Sequence, residues 1–319
     1  MKYNRECEVA VEAVREAARL CVDVRKSLVG TMEKEDRSPV TVADFGSQAL
    51  VCRRLKSVFP GDPIVAEEDA SVLRGAEQSA MREMVCEFVR VYTQADEDTI
   101  CDWIDAGNGD VAERFWTLDP IDGTKGFLRG DQYAVALALV DCGEVKVAAL
   151  ACPALPVDME EMEGDCGVLF VAVRGEGTQA MPLVGGDGVD VRIDDPAWRF
   201  AESVESSHCD FDAQQAVARA VGIVSPSLRM DSQVKYGAVA RGDAALYLRL
   251  PSPEYPGYRE NIWDHAAGAL IVEEAGGKVS DMFGRPLDFV SAAQMEDNRG
   301  VVVSAREIHA RVIDALRDM

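Results

Sequence analysis

Two aspartates and a threonine lie within six residues at the end of an apolar segment. Phe115–Leu118 is predicted to be a short buried strand, and D-P-I-D-G-T follows it at 119–124. Pro120 fixes its own φ and favours extended geometry before it, while Gly123 permits a tight bend or a positive φ. Two carboxylates held this close repel each other, so a bound cation would stabilise the turn. Oxygen ligands favour Mg²⁺, Mn²⁺ or Ca²⁺ over zinc.

Further carboxylates stand at the ends of three other predicted elements. Glu67-Glu68-Asp69 follows a short apolar strand, Asp44 falls in the first turn of a helix predicted at 41–58, and Asp264 opens a helix predicted from 262. Each has an ordinary alternative: a solvated loop for the three acids, an interaction with the helix dipole for Asp44, and an N-cap for Asp264. Taken singly, none of these carboxylates indicates a site.

The elements that must position these side chains follow a layered pattern. An amphipathic helix is predicted at 5–29, and two β-hairpins at 133–151 and 168–181 follow further helices, which indicates an α/β (α+β layered) fold. Residues 70–114 are predicted to be a polar excursion with one helix at about 77–95, and 125–130 a loop. A Gly/Asp-rich stretch suggests two domains, an N-terminal α+β metal-binding domain at 1–185 and a C-terminal α/β domain at 186–319 that completes the site.

Composition restricts the partners and the compartment. The 319-residue chain carries 33 basic and 56 acidic residues, a net charge of −23, which disfavours nucleic acid and anionic membranes as partners. Bound divalent cations would reconcile this charge with a phosphorylated substrate. The nine cysteines form no C-x-x-C pair, and no apolar run reaches transmembrane length, so a cytoplasmic protein is expected. An organelle is the alternative if a transit peptide was removed.

Three dispersed motifs together resemble a known group of enzymes. V-A-E-E-D at 65–69, D-P-I-D-G-T at 119–124 and W-D-H-A-A-G at 263–268 are similar to the motifs of the inositol monophosphatase-like superfamily of lithium-sensitive, magnesium-dependent phosphatases. Within it, the chain most resembles the 3′(2′),5′-bisphosphate nucleotidases. The segments that carry this second resemblance are R-F-W-T-L-D-P-I-D-G-T-K-G-F-L-R-G from 114, E-S-V-E-S-S-H from 202, R-M-D-S-Q-V-K-Y from 229 and Y-L-R-L-P from 247.

The resemblance implies a fold, a metal centre and a set of roles. The fold is a five-layer αβαβα sandwich, and the cofactor is Mg²⁺, two or three ions, with Mn²⁺ as an alternative and Ca²⁺ and Li⁺ as inhibitors. Asp44, together with Thr124, would position and deprotonate the attacking water. The implied metal ligands are Glu67, Asp119, Ile121 through its carbonyl, Asp122 and Asp264. The implied substrate contacts are Thr124, His208, Ser232, Lys235, Arg249 and Asp264.

The activity that follows is hydrolysis of adenosine 3′,5′-bisphosphate to AMP and phosphate, and of the 5′-phosphosulfate analogue in the same way. The partner is a small phosphorylated nucleotide, with neither nucleic acid nor membrane, and a monomer is expected. The alternative enzyme is an inositol polyphosphate 1-phosphatase or an inositol monophosphatase, which would share the metal ligands and differ on the substrate side. A non-enzymatic alternative is a protein that senses metal or phosphate on the same scaffold.

Overall fold

The computed structural model describes residues 2–28, 38–159, 161, 164–204, 210–252, 254–255 and 257–319. The helices in these ranges are α1 Asn4–Leu28, α2 Ser38–Val58, α3 Ser79–Arg90, α4 Glu97–Asp105, α5 Thr124–Arg129, α6 Phe211–Ala220, α7 Val234–Ala240, α8 Ala266–Glu274 and α9 Arg306–Arg317. The strands are β1 Ile64–Ala66, β2 Arg114–Asp122, β3 Ala134–Asp141, β4 Glu144–Pro156, β5 Cys166–Val173, β6 Gly177–Pro182, β7 Val189–Val191, β8 Phe200–Glu202, β9 Leu228–Arg229, β10 Leu246–Arg249, β11 Lys278–Ser280 and β12 Val301–Ser304.

The strands form two sheets. The large sheet has seven strands in the order β1-β2-β3-β4-β5-β6-β7, in which β1 and β2 are parallel and the later pairs are antiparallel. The small sheet has five strands in the order β11-β12-β10-β8-β9, and it mixes parallel and antiparallel pairs. The two predicted hairpins, β3–β4 and β5–β6, are confirmed.

Helices separate and cover these sheets, and the result is the predicted five-layer αβαβα sandwich. The first apolar cluster lies between α1, α2 and one face of the large sheet. The second fills the space from the other face of that sheet, through α7 and α8, to the small sheet. The third lies between the small sheet and the outer helices α6 and α9.

Strand β3 shows how the sequence builds the buried large sheet. Successive side chains of a strand point to opposite faces, and β3 places large residues on one face and small ones on the other. The α1/α2 face carries Val135, Leu137 and Leu139. The α8 face carries Ala134, Ala136 and Ala138. The small residues allow the helices of the central layer to lie close to this part of the sheet.

The helix predicted from 262 begins at Ala266, and four further local expectations differ from the structure. Helix α2 begins at Ser38, three residues before the predicted start, because a proline at its second position costs no intrahelical hydrogen bond. The polar excursion contains a second helix, α4, which the Asp96 side chain caps and which buries one apolar face. The predicted loop at 125–130 is largely the helix α5. Strand β2 continues through the Asp-Pro step to Asp122, with a register shift between Asp119 and Asp122.

The predicted boundary between 185 and 186 stays a prediction. The large sheet continues past it, because β7 pairs with β6 in antiparallel register. None of the helices in the described ranges is both long and apolar enough to span a bilayer.

Gly268 allows α8 to lie directly on α7, and we expect its replacement by alanine to destabilise the protein. A Cβ at this position would lie 2.3 Å from Cγ of the buried Tyr236. Alanine favours the helix by about 1 kcal/mol, but a contact this short with a buried ring belongs at the upper end of the overpacking cost, about 2–3 kcal/mol. Gly268→Ala should therefore lower the free energy of unfolding by about 1–2 kcal/mol in urea titrations.

Gly61→Ala is the matched control for this substitution. A Cβ at Gly61 meets no atom within 4 Å, so its unfolding free energy should change by less than about 0.5 kcal/mol. Equal stabilities of Gly268→Ala and wild type would show that the helices α7 and α8 can move apart without cost.

Candidate active site and metal centre

One cavity of about 350 Å³ gathers most of the predicted site residues. It opens where the ends of β1 and β2 meet α7, α8 and β10. The predicted residues among its lining are Glu67, Asp122, Thr124, Ser232, Lys235, Arg249 and Asp264. Asp44, Asp119 and Ile121 are buried beside it, each at most 5% exposed. His208 lies outside the described residues.

Parallel pairing of β1 and β2 brings the first two carboxylates together. Ala66 pairs with Leu118, so Glu67, which directly follows β1, lies next to Asp119 of β2. Past Asp119 the β2–β3 register shifts, and Asp122 resumes the pairing opposite Ala134. Gly123 then adopts a φ of 93°, a conformation that favours glycine, and α5 follows. The predicted turn is therefore present, but it is a bulge within a strand and the start of a short helix.

Helix α2 fixes the other side of this turn. Asp44, Ser47 and Gln48 are spaced three and four residues apart, so they share one helical face. The Ser47 hydroxyl donates to the Pro120 carbonyl at 2.9 Å. The Gln48 side chain donates to the Glu68 carbonyl at 2.5 Å and accepts from the Glu68 N–H at 3.0 Å. One helix thereby holds both acidic segments in place beside Asp44.

The structure argues against the ordinary alternatives for these acids. Asp44 lies beyond the first turn of α2, where the helix dipole has little effect. The N-cap of α8 is His265, so Asp264 precedes the cap. Glu67 lines the cavity, although Asp69 does serve the loop by accepting the Ser71 N–H at 2.6 Å.

Burial and neighbouring carboxylates raise the pKa values of Asp44, Glu67 and Asp119. Burial is the largest cause for Asp44, followed by Glu68 and Glu67, and the pKa of Asp44 lies well above its usual range. Glu67 is open to the cavity, but enough protein surrounds it that burial, followed by Asp264, raises its pKa to about 8. Burial and the charges of Glu67, Asp122 and Asp264 raise the pKa of Asp119 strongly. This mutual repulsion favours a bound cation.

Unpartnered oxygens provide the test of whether a cation fits. Oδ1 of Asp44 and Oδ1 of Asp119 are buried, and neither has a hydrogen-bond partner among the residues that the structure describes. Buried polar atoms are nearly always satisfied, so these oxygens have the character of ligand or water-binding atoms. An all-oxygen set of anions suits a hard divalent cation such as Mg²⁺. The residues present therefore fit the metal that the resemblance implies.

Two cations face these anions. Lys235 is buried, and its Nζ lies 3.3 Å from the Met230 carbonyl and 5.0 Å from the centroid of the Tyr247 ring. Arg249 places Nε 2.8 Å from Oε2 of Glu260. The pKa of Asp122 is raised by burial and by Asp264, against the opposing effect of Lys235 and Arg249, so both cations act on the carboxylate cluster.

A hydrogen-bond network behind Arg249 was not predicted from the sequence. Glu260 forms an ion pair with Arg249 and lies 3.3 Å from Nε2 of His265, whose Nδ1 lies 2.7 Å from the Tyr236 hydroxyl. Burial opposes the charge of Glu260, but Arg249 and His265 together lower its pKa to about 2. Glu260, Asp264 and His265 are close enough to hold a cation. Because both ring nitrogens of His265 already have partners, we interpret this cluster as support for Arg249.

Other cavity residues were also missed. Ser203, Asp231, Gln233, Tyr258 and Asn261 line the cavity. Asp231 forms an ion pair with Arg129 of α5 and accepts the Val204 N–H at 3.2 Å, so it ties α5 to the chain after β8. For Asp231, Gln233 and Asn261 the signal available was their position close to Ser232 or Asp264 in the sequence, but that position alone gives no separate indication of a role.

The fold and the site define a class of enzyme, the metal-dependent phosphoric monoester hydrolases. The chain belongs to the inositol monophosphatase family, whose sequence profile matches residues 3–319. It is 42% identical over 351 residues to a 3′(2′),5′-bisphosphate nucleotidase of Emericella nidulans, with 99% of each chain covered. It is also 42% identical over 339 residues to one of Schizosaccharomyces pombe, covering 99% of this chain and 96% of the relative.

Solved structures support the fold. An inositol monophosphatase from Zymomonas mobilis superposes with a TM-score of 0.64 at 20% identity, covering 99% of both chains. Mycobacterium tuberculosis SuhB superposes with a TM-score of 0.61 at 22% identity, covering 98% of this chain and 96% of that one. The five-layer arrangement is therefore shared with proteins whose sequences have diverged widely.

Proposed function

We propose that this protein hydrolyses the 3′-phosphate of adenosine 3′,5′-bisphosphate to give AMP and phosphate. The name 3′(2′),5′-bisphosphate nucleotidase, which two 42% identical relatives carry, supports this class of substrate. The finer properties form part of the same proposal: dependence on two or three Mg²⁺ ions, with Mn²⁺ as an alternative, inhibition by Li⁺ and Ca²⁺, and action on the 5′-phosphosulfate analogue. A monomer in the cytoplasm remains the expectation.

The observation that carries the proposal is the charge distribution of the cavity. Its lining combines the basic side chains of Lys235 and Arg249 with the carboxylates of Asp122 and Asp264. A substrate with one phosphate at the carboxylate cluster, through cations, and a second at the two basic side chains would satisfy both halves. A substrate with a single phosphate would occupy only one of the two halves. This arrangement favours a bisphosphate over a monophosphate.

The residues of the site would have separate roles in metal binding and proton transfer. Glu67, Asp119, Asp122 and Asp264, with the Ile121 carbonyl, would hold the metal. Bound divalent cations would neutralise the phosphoryl oxygens and make water a better nucleophile at neutral pH. Asp44 would accept the proton of the attacking water, a role for which its raised pKa suits it. Thr124, at the start of α5, would help Asp44 to orient that water.

The substrate side would fix the second phosphate and the nucleoside. Lys235 would contribute a positive charge to the second phosphate. Arg249, which is held by Glu260, would donate to the same phosphate through its remaining N–H groups. Ser232 would supply a hydroxyl at the cavity wall, and His208 is proposed to contact the nucleoside.

A panel of phosphate esters tests the proposal. Phosphate release would be measured from adenosine 3′,5′-bisphosphate, its 5′-phosphosulfate analogue, inositol 1-phosphate, inositol 1,4-bisphosphate and fructose 1,6-bisphosphate, each with Mg²⁺ and with EDTA. We expect the two nucleotides to have the highest kcat/KM and EDTA to abolish release. Preference for an inositol phosphate would favour the alternative enzyme, and absence of turnover with every ester would favour a sensing protein.

Lys235→Met should separate the bisphosphate from a monophosphate. Methionine keeps the apolar stem of lysine but removes the charge, and a charge-assisted hydrogen bond contributes about 1.5–3 kcal/mol. We therefore expect KM for adenosine 3′,5′-bisphosphate to rise roughly 10- to 100-fold, whereas kcat/KM for 3′-AMP should change little. Steady-state kinetics on the two substrates checks this.

Lys146→Met is the control for the loss of one positive charge. Lys146 pairs with Glu144 in the β3–β4 hairpin, away from the cavity lining, so both substrates should behave as with wild type. A Lys235→Met enzyme that loses activity equally on both substrates would contradict the assignment of Lys235 to the second phosphate.

A further inference from the structure

Gln233 connects two parts of the site that are far apart in the sequence. It precedes α7, is 1% exposed, and uses its backbone and its side chain in different directions. Its backbone N–H donates to Oδ2 of Asp122 at 2.7 Å. Its side-chain Nε2 donates to the Trp263 carbonyl at 3.0 Å, and its Oε1 accepts the Gly268 N–H at 3.3 Å. One buried residue thus contacts both the β2 turn and the segment that begins α8.

The two connected segments carry carboxylates that repel each other. Asp122 lies in the first segment, and Asp264 directly follows Trp263 in the second. The charge of Asp264 raises the pKa of Asp122. Without a clamp, this repulsion would push the β2 turn and the start of α8 apart, which would separate ligands that a cation must bind together. Gln233 opposes that separation with a bond to each side.

The amide group is suited to this place because it is neutral and has both a donor and an acceptor. A carboxylate here could accept the Gly268 N–H, but it could not donate to the Trp263 carbonyl, and it would add charge to the acidic cluster. An apolar side chain would leave the Trp263 carbonyl and the Gly268 N–H without these partners in a buried place. Glutamine meets both requirements.

The backbone around Gln233 is also held in an unusual conformation. Ser232 has a φ of 66°, in the left-handed region that non-glycine residues rarely adopt. A Cβ at Gly123 would lie 2.9 Å from the Ser232 Cβ, so the segment before α7 packs directly on the β2 turn. Such strain persists only where surrounding contacts fix it, and it is common at functional sites.

We propose that Gln233 is a positioning residue of the metal centre, which sets the separation of Asp122 and Asp264 by bonding to the segments that carry them. The inference rests on the proposed metal-dependent function. It also links the two halves of the cavity, because Ser232 and Lys235 flank Gln233 on the substrate side. Loss of the Gln233 side-chain hydrogen bonds should therefore lower the metal affinity more than it lowers the rate of hydrolysis at saturating metal.

Metal affinity measured on Gln233→Met and Gln233→Glu tests this proposal. Mg²⁺ would be titrated in a thermal-unfolding assay, and Mn²⁺ binding would be followed directly by electron paramagnetic resonance, both without substrate. Residues that orient metal ligands typically contribute about 10- to 100-fold in metal affinity. We expect a loss of that size in both variants. Activity should recover as the Mg²⁺ concentration is raised to saturation, because the metal ligands themselves remain.

The glutamate variant keeps the size of the side chain, so it separates hydrogen bonding from packing. Gln214→Met serves as control, because Gln214 in α6 is equally buried but lies outside this network. The Mg²⁺ concentration at the midpoint of its titration should match that of wild type, even if its melting temperature differs. If one variant does not fold, the other still gives the metal midpoint.

Two failures can be distinguished. Metal midpoints of Gln233→Met and Gln233→Glu within twofold of wild type would overturn the positioning role, even if both variants melted earlier. A wild-type protein that showed neither a Mg²⁺-dependent thermal shift nor phosphate release would instead contradict the proposed function itself.

Discussion

Asp119→Asn should reduce phosphate release by on the order of a thousandfold or more at any Mg²⁺ concentration. Asp119 is buried, its Oδ1 has no partner among the described residues, and Glu67, Asp122 and Asp264 all act on its pKa. If it holds the metal, its loss removes several kcal/mol of charge stabilisation from the transition state. Steady-state phosphate release, measured across a Mg²⁺ series, checks this.

The same substitution should stabilise the metal-free protein. An unsatisfied buried charged group costs on the order of 1–3 kcal/mol or more, and asparagine removes the charge while keeping the shape. The melting temperature in EDTA should therefore rise, whereas the Mg²⁺-dependent thermal shift of wild type should disappear. Near-wild-type turnover with Mg²⁺ would show that Asp119 is no ligand, and a lower melting temperature in EDTA would contradict the account of mutual repulsion.

Asp44→Asn is expected to have the second largest effect, with a different signature. A general base contributes about 10²- to 10⁴-fold to the rate, so kcat should fall by roughly that factor. Asp44 is not among the expected ligands, so the Mg²⁺ midpoint in the thermal-unfolding assay should stay within a few-fold of wild type. The pair of aspartate variants therefore separates proton transfer from metal binding.

Two results would contradict this assignment of Asp44. Loss of the Mg²⁺-dependent thermal shift would make Asp44 a metal ligand, and unchanged kcat would leave it a structural residue of α2. Ser47→Ala is a matched control on the same helical face. It removes the hydroxyl that donates to the Pro120 carbonyl but keeps the proton acceptor, so its kcat should fall less than that of Asp44→Asn.

Regular periodicity and the acidic motifs predicted individual elements of the fold, whereas the five-layer sandwich and the metal-ligand roles came from the resemblance to the inositol monophosphatase-like superfamily. The amphipathic pattern of α1, the two hairpins and the carboxylates at the ends of β1 and β2 each have a local cause in the sequence. Parallel strands that end at one edge then bring Glu67 and Asp119 together. These features could be predicted because each depends on neighbours in the sequence.

Other features depend on the tertiary structure and could not be predicted. Gln48, Gln233 and Glu260 act through bonds to segments that are distant in sequence. A glutamine in a helix, or next to one, has many ordinary roles, and nothing in its neighbourhood points to one partner. Helix α4 was missed for a different reason, because its acidic, polar sequence masked an apolar face that packs against α2 and α3.

The site draws on four of the five layers, and this has a consequence for how the protein folds. Asp44 comes from α2, Glu67 and Asp119 from the large sheet, the Gln233 segment and Asp264 from the central helices, and Arg249 from the small sheet. More than half of the chain lies between Glu67 and Asp264, so loop closure must come before the ligands meet. The cation-binding state can therefore exist only late in folding. A bound ion would then connect residues of several layers and slow unfolding. Metal should therefore extend the lifetime of the native state as well as enable turnover.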